Sequence, residues 1–315
     1  MVLFILMYTV SFHLVMNGDD WFMVWLGLEV NMMMFIMIMY KRYSMFNIES
    51  CLKYFFIQSL GSAMFMSMFY FEGEYMDMVL CLILSYKIGA GPFFYWFPSV
   101  CLGISWMSCF ILMSFQKIIP LILISVFISW IMLTILFVSL VVGIFGSFNQ
   151  KDLKQLIAYS SVYHLGWMIL CMVVDEMSWV SYLMVYMILI FPVIFFVKGM
   201  NMVSISDIVM INNKWTMIVL MLSMAGMPPF LGFFLKWYVF VKVMKLGMMF
   251  MMLLVISSVI MFYVYFRVVY DVLLGNFIKN SLEDWTVGKN VWTMLDMMSW
   301  MGMMFGVIIG IWMLF

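Results

Sequence analysis

The chain has 315 residues, of which 68% are hydrophobic and 10% charged, with 15 basic and 15 acidic side chains and zero formal net charge. Soluble domains run at about 45–50% apolar and about 25% charged residues. A mean hydropathy of +1.16 therefore leaves too few polar groups for a water-facing surface, which excludes a cytosolic enzyme, a nucleic-acid binder and a disordered chain.

A bilayer core about 30 Å thick takes roughly 20 apolar residues per helix. The apolar runs here are of that length and do not alternate with period two, so helices are expected rather than barrel strands. In chain order the predicted spans are residues 1–16, 21–40, 51–71, 78–97, 103–124, 127–148, 153–174, 177–198, 215–245, 248–273 and 294–315. The expected fold is all-α and polytopic, with about eleven transmembrane helices.

Two spans carry their own interruption. The ninth is too long for one simple crossing and holds Gly226-Met227-Pro228-Pro229 in its middle. Consecutive prolines remove amide donors and clash with the preceding turn, which predicts two half-helices. The fourth holds Gly89, Gly91 and Pro92 and is expected to be broken too. The two segments, GAGPFF and AGMPPF, lie five spans apart and so run in opposite directions. Transporters place such breaks at corresponding positions of inverted repeats. The expected organisation is a first five-helix repeat over 1–125, a second, inverted one over 126–273, and a loop with an accessory helix over 274–315. The 275–293 stretch, with Lys279, Glu283, Asp284 and Lys289, reads as a solvated connection.

Loop charges give an orientation. Counted alternately, one side has Lys41, Arg42, Lys151, Lys154, Lys198, Lys214, Lys279 and Lys289. The other has Lys242 and Lys245, with Asp19, Asp20, Glu72, Glu74, Asp77, Asp175 and Glu176. The N-terminus is expected on the basic, inner face, and an odd helix count puts the C-terminus opposite. No cleavable leader is visible. The cysteines at 51, 81, 101, 109 and 171 lack CxxC spacing and read as buried thiols.

Ionisable residues at mid-membrane depth cost about 2.5–3.5 kcal/mol or more. Five need an explanation: Glu29 in the second span, Lys87 in the fourth, Lys117 in the fifth just before Pro120, His164 in the seventh, and Lys236 after the ninth span's break. Snorkelling suffices for Lys154 and Lys198 near span ends. Arg267 is expected to pair with Asp271 one turn on. For the mid-span residues snorkelling is difficult, and one carboxylate cannot neutralise three lysines. A hydrated polar path would lower the cost of all of them. A lysine shielded from water holds its proton less firmly, and a nearby carboxylate restores the hold. That is proton-relay chemistry, and it needs no cofactor or metal in this chain.

These residues sit in stretches that resemble a known family. WLGLEVN around Glu29, ESCLKYFFIQSLGSA at 49–63, YKIGAGPFFYWFPSV at 86–100, SFQKIIP at 114–120, LKQLIAYSSVYHLGWM at 153–168 and GMPPFLGFFLKW at 226–237 fall in the family's order over residues 1–273. The chain resembles the antiporter-like subunits of mitochondrial NADH–ubiquinone oxidoreductase, respiratory complex I. A lysine in LKW, rather than a glutamate, is similar to subunit 2 more than to subunit 4. Eleven helices with a short N-terminus resemble the animal form. Ser114 precedes Phe115 where the family usually has tryptophan before Gln-Lys.

The resemblance implies an antiporter-like fold of two inverted five-helix bundles and a proton-translocating role in the membrane arm of the complex. It implies that Glu29 is the coupling carboxylate, Lys87 its partner and Lys117 the central connecting lysine. His164 would lie on the hydrophilic axis and Lys236 on the second broken helix. The implied neighbours are subunit 4 on one face and subunit 4L on the other, within the lipids of the mitochondrial inner membrane. The N-terminus would face the matrix and the C-terminus the intermembrane space. Redox chemistry, with FMN, iron–sulfur clusters and quinone, would belong to other subunits. The 43 methionines are consistent with an organelle code that reads AUA as methionine. Two other functions fit the same fold logic: a free-standing cation/proton antiporter, which would exchange ions alone in proteoliposomes, and a purely structural membrane-arm subunit, whose charges could be neutralised without loss of pumping.

Overall fold

The computed structural model describes residues 2–279 except 19, 43, 71, 72, 74, 176, 209–213, 245 and 246. The predicted span 294–315 and the 275–293 loop from residue 280 onward lie outside the described residues, as do the loop charges Asp19, Glu72, Glu74, Glu176, Lys245 and Lys289.

The described chain is helical, with one isolated bridge, Asp152 to Ser204, and no strand. In order the helices are α1 (Val2–Met16), α2 (Trp21–Met39), α3 (Met45–Ser67), α4 (Met76–Ile88), α5 (Trp96–Gly103), α6 (Trp106–Met113) and α7 (Phe115–Val126). Then come α8 (Ile131–Phe148), α9 (Leu153–Val174), α10 (Ser178–Gly199), the short α11 (Ile205–Ile208), α12 (Lys214–Ala225), α13 (Leu231–Val243) and α14 (Met248–Lys279). Among the described residues, six segments are long and apolar enough to cross a membrane: Trp21–Met39, Trp106–Val126, Ile131–Phe148, Leu153–Val174, Ser178–Gly199 and Met248–Leu273. The last helix continues to Lys279, beyond the predicted span end at 273.

Helix is the natural answer to these sequences because it satisfies backbone groups internally where water cannot reach. α3 shows how a membrane helix selects its buried face. Asn47, Ser50, Tyr54, Gln58, Gly61, Ser62 and Phe65 are buried. They recur at three- and four-residue intervals, so they form one stripe. Leu52, Phe56 and Leu60 are exposed on the same helix. The uncharged polar side chains Asn47, Ser50, Gln58 and Ser62 thus share the buried stripe with Tyr54 and Phe65, whereas Glu49 and Lys53 pair on the exposed side.

The fourth and ninth predicted spans are each two helices around a break. α4 ends at Gly89, left-handed at φ 74°, and α5 begins at Trp96. α12 ends at Ala225, Gly226 follows at φ 81°, and α13 begins at Leu231. Glycine takes this conformation without the Cβ clash that costs other residues about 1–2 kcal/mol. The fifth predicted span is interrupted as well, at Ser114, between α6 and α7. The Ser114 amide and hydroxyl both donate to the Phe110 carbonyl, at 3.0 and 2.5 Å, and Ser114 itself leaves helical geometry at φ −117°, ψ −82°.

The chain forms two compact units, residues 1–143 with 157–173, and residues 144–156 with 174 onward. In the first, α2 packs on α1 and α3, α3 on α4 and α5, and α7 on α4. In the second, α12 packs on α10, α13 and α14. One corner of the second unit ties two connections together, the one before α9 and the one leading into α11. Leu153 N donates to Val203 O at 3.1 Å and Ile205 N to Lys151 O at 2.8 Å. The Asp207 carboxylate accepts from the Ser204 amide at 2.8 Å and the Val203 amide at 3.0 Å. Those bonds, the one from Ser204 first, hold its carboxyl below the usual range.

Arg267 corrects an expectation. It does not pair with Asp271; its guanidinium donates to the Phe148 carbonyl at 2.8 Å. The last carbonyls of α8 lack helical partners and carry the negative end of its dipole. They are the better acceptor there. The five cysteines are buried, as their apolar surroundings suggested.

Candidate functional site

Four of the ionisable residues singled out by depth, Glu29, Lys87, Lys117 and His164, belong to the first unit; Lys236 belongs to the second. Lys87 is 5% exposed, Lys117 1%, His164 2% and Lys236 7%. Glu29 is half-buried. Among the described residues, no ring of three or more His, Cys, Asp or Glu side chains could hold a metal.

Lys87 sits in the last turn of α4, immediately before the break. Ending a helix there orphans the carbonyls of that turn. The Gln58 amide donates to Lys87 O at 2.8 Å, and the Trp96 indole donates to Tyr86 O at 3.1 Å. Gly89 N and Ala90 N close the turn back onto Tyr86 O and Ser85 O. The stem of Lys87 lies against Gly61 of α3, so closely that a Cβ at 61 would stand 2.8 Å from Lys87 Cγ. At the next residue of α3, Ser62 donates its hydroxyl to Glu29 Oε1. Glu29 and Lys87 make no direct ion pair. They are related through α3, which bonds the carboxylate at 62, touches the lysine stem at 61 and holds the lysine carbonyl at 58.

Lys117 lies near the start of α7. Its ammonium donates to Ser161 O at 3.0 Å and stands 5.3 Å from the centroid of Phe97. Ser161 is one turn before His164 on α9. The central lysine is therefore bonded to the turn that carries the histidine, whose ring meets Tyr163 edge-on at 5.5 Å. Lys87 and Lys117 line one cavity of about 20 Å³ together with Asn31, Gln58 and Gln116. The Asn31 and Gln116 amides bond reciprocally, at 3.1 and 3.4 Å.

Lys236 is held differently. It follows its break, on the second turn of α13, and its ammonium reaches back to Ala225 O at 2.6 Å. Gly226 makes room: a Cβ there would stand 2.9 Å from the ammonium nitrogen. A separate cavity of about 260 Å³ is lined by Lys236, Phe233, Trp237, Phe240 and Phe262. Both break lysines thus stand beside the C-terminal end of a half-helix, where a dipole favours a cation by about 0.3–2 kcal/mol.

Ser62, Gln58, Asn31 and Gln116 are site residues that a search for charges alone passes over. The α3 stripe was the available signal for the first two, since polar residues at helical spacing inside an apolar run must face something polar.

Comparison with known proteins places the chain in a family and a fold. A family model described as "NADH:quinone oxidoreductase/Mrp antiporter, TM" matches residues 74–261. NADH-ubiquinone oxidoreductase chain 2 of Anopheles gambiae is 33% identical over 307 residues, covering 91% of this chain and 89% of that protein. The protein of that name from the tick Rhipicephalus sanguineus is 36% identical over 287 residues, covering 88% and 90%. Among solved structures, a chain of respiratory complex I from Thermus thermophilus superposes with a TM-score of 0.81 at 20% identity, covering 99% of this chain and 78% of that one. A chain of the Mrp complex from Dietzia gives 0.71 at 14% identity, covering 86% and 58%. The structural likenesses establish the all-α, antiporter-like fold, and the sequence relatives go further: the chain belongs to the NADH-ubiquinone oxidoreductase chain 2 family.

Proposed function

We propose that this chain moves protons through a buried relay of Glu29, Lys87, Lys117, His164 and Lys236, coupled to electron transfer in other subunits. As a member of its family it is a multi-pass subunit of NADH–ubiquinone oxidoreductase in the mitochondrial inner membrane. The observation that carries the relay is the shared cavity of Lys87 and Lys117, with Lys117 bonded to the turn of His164. Two unit charges about 10 Å apart at an effective dielectric of about 20 interact by roughly 1.7 kcal/mol. That exceeds the ~1.4 kcal/mol that changes a protonation ratio tenfold. Charging Glu29 favours protonated Lys87; loss of that influence drives a proton toward Lys117 and His164, and on to Lys236. Histidine suits the intermediate position because its unperturbed titration lies near neutral pH.

The finer architecture follows the same reading: eleven spans, and two inverted repeats over 1–125 and 126–273 with an accessory segment over 274–315. The paired glycine breaks support the repeats. The N-terminus faces the matrix and the C-terminus the intermembrane space. Two contacts support that alternation. Lys242 and Asp175, assigned to one side, are 2.7 Å apart. Lys151 bonds the loop that follows Lys198 on the other. Subunits 4 and 4L are the neighbours in this reading. FMN, iron–sulfur and quinone chemistry lies in other subunits, and this chain contributes none of it.

Lys87→Met in the assembled complex tests the relay. Proton translocation per NADH oxidised should fall while the complex still assembles. Unchanged stoichiometry would favour the structural-subunit reading instead.

A further inference from the structure

The cavity beside Lys236 takes no part in the steps described so far. About 260 Å³ in volume, it is walled by Phe233, Trp237 and Phe240 of α13, Phe262 of α14, and two polar side chains, Lys236 and Ser258. An apolar cavity of about 150 Å³ holds a benzene ring, so this one has room for a larger apolar group. Trp237, and Val259 at the same wall, are exposed. α14 packs closely on α12 and only lightly on α13. The space therefore opens sideways between α13 and α14, toward lipid.

The polar inventory selects the guest. An ammonium has three N–H donors, and Lys236 spends one on Ala225 O at 2.6 Å. Ser258 donates its hydroxyl proton to Val255 O at 2.8 Å, so the lysine is the cationic donor that the space offers. A carboxylate is a stronger partner for it than a neutral carbonyl. Four aromatic rings and one cation suit a molecule with an acid at one end and hydrocarbon at the other. A phospholipid does not match the depth: its charged head stays at the bilayer surface, about 15 Å from the midplane, whereas Lys236 follows a break in the middle of its span. A single-chain carboxylic acid reaches that depth, because its protonated form carries no charge to desolvate.

We propose that the cavity beside Lys236 binds a free fatty acid of the bilayer, whose carboxylate pairs with the Lys236 ammonium while its chain lies among the aromatic rings. The acid meets the lysine as a neutral amine. The acid's O–H bond breaks as an N–H bond forms on the lysine nitrogen, leaving a carboxylate and an ammonium side by side with no net charge brought into the membrane. The bond to Ala225 O survives, since amine and ammonium each keep an N–H for it. The consequence rests on the relay reading: a lysine held charged by its guest cannot pass its proton on, so the bound acid inhibits.

Palmitic acid carrying a photoreactive diazirine on its chain should label α13 and α14 in the intact complex of inner-membrane vesicles. Excess palmitic acid should remove the label; methyl palmitate, which has no proton to give, should not. With an uncoupler present, so that proton leak through the acid itself is immaterial, palmitic acid should slow NADH–quinone turnover where the ester does not. Val259→Trp, which fills the mouth, should lose both the label and the difference between acid and ester, measured against that variant's own uninhibited rate. The unmodified complex decides the matter even if that variant fails to assemble. No label on α13 or α14, competition by the ester as good as by the acid, or a phospholipid chain running into the space from a surface headgroup overturns the proposal. So does labelling that leaves turnover unchanged while Lys236→Met abolishes pumping. If Lys236→Met pumps normally, the relay reading fails at that residue instead, and the acid-selective label on the unmodified complex tests the site alone.

Discussion

The two broken helices solve one problem in two ways. In each, a half-helix ends on a left-handed glycine, Gly89 or Gly226, and a buried lysine stands beside its C-terminal end. Lys87 comes before its break, and the carbonyls of its turn are held by Gln58 of α3 and Trp96 of α5. Lys236 comes after its break and caps Ala225 O with its own ammonium. The first lysine is located by a neighbouring helix, the second by the break it follows. In the proposed relay the two lysines are therefore reached differently. Because Ser62 bonds Glu29 from the same face of α3, a change at the carboxylate has a packed route to Lys87, whereas Lys236 carries its fixed partner with it.

The comparison can be broken most severely at Gly232. A Cβ there would stand 1.9 Å from Ser223 O, and backbone cannot retreat as a flexible side chain can. Gly232→Ala should cost about 4 kcal/mol or more. The subunit should fail to accumulate, as measured by its abundance in isolated inner membranes. Normal abundance would mean that α12 and α13 do not need so close an approach.

Smaller and more informative is the pair Gly226→Ala and Gly89→Ala. Each forces a left-handed alanine, at about 1–2 kcal/mol. The added methyl at 226 lies 2.9 Å from the Lys236 ammonium and displaces it from Ala225 O. At 89 its nearest neighbours are Phe97 Cβ at 3.0 Å and the Trp96 ring at 3.2 Å. Abundance should fall alike in the two variants, and protons per NADH should fall further in Gly226→Ala. Equal pumping in both would remove the distinction between the breaks.

The sequence made the ionisable residues legible because charge at membrane depth is costly enough to need a reason. Gly and Pro made both breaks legible where they cluster, because together they make continuous helix costly. What stayed hidden is what costs little. Asn31 and Gln116 are neutral, and a neutral amide in an apolar run is no anomaly until its partners are seen. The interruption at Ser114 has neither glycine nor proline; the residue leaves helical geometry at φ −117°, ψ −82°. Arg267 illustrates the opposite error. Asp271 was visible as a partner one turn away, but the competing acceptor, Phe148 O, lies 119 residues distant in sequence. Side chain to side chain pairs can be guessed from spacing; side chain to backbone pairs need the fold.

The smallest expected change in stability tests the comparison most sharply. Gly61 lies inside α3, where alanine is preferred over glycine by about 0.8–1 kcal/mol. Against that gain, the new methyl would stand 2.8 Å from Lys87 Cγ and 3.0 Å from Lys87 Cε. Those atoms belong to a flexible stem, which can turn aside at a cost of about 0.5–1.5 kcal/mol. The two terms nearly cancel, so Gly61→Ala should leave abundance and thermal stability within about 1 kcal/mol of the parent. Lys87 should nevertheless shift, because the stem moves before the backbone does. Protons per NADH should fall with no loss of assembled complex, a separation of function from stability that Gly226→Ala cannot give. If Gly61→Ala pumps normally and a structure shows Lys87 displaced, the lysine tolerates its own displacement. The first break would then be as self-contained as the second.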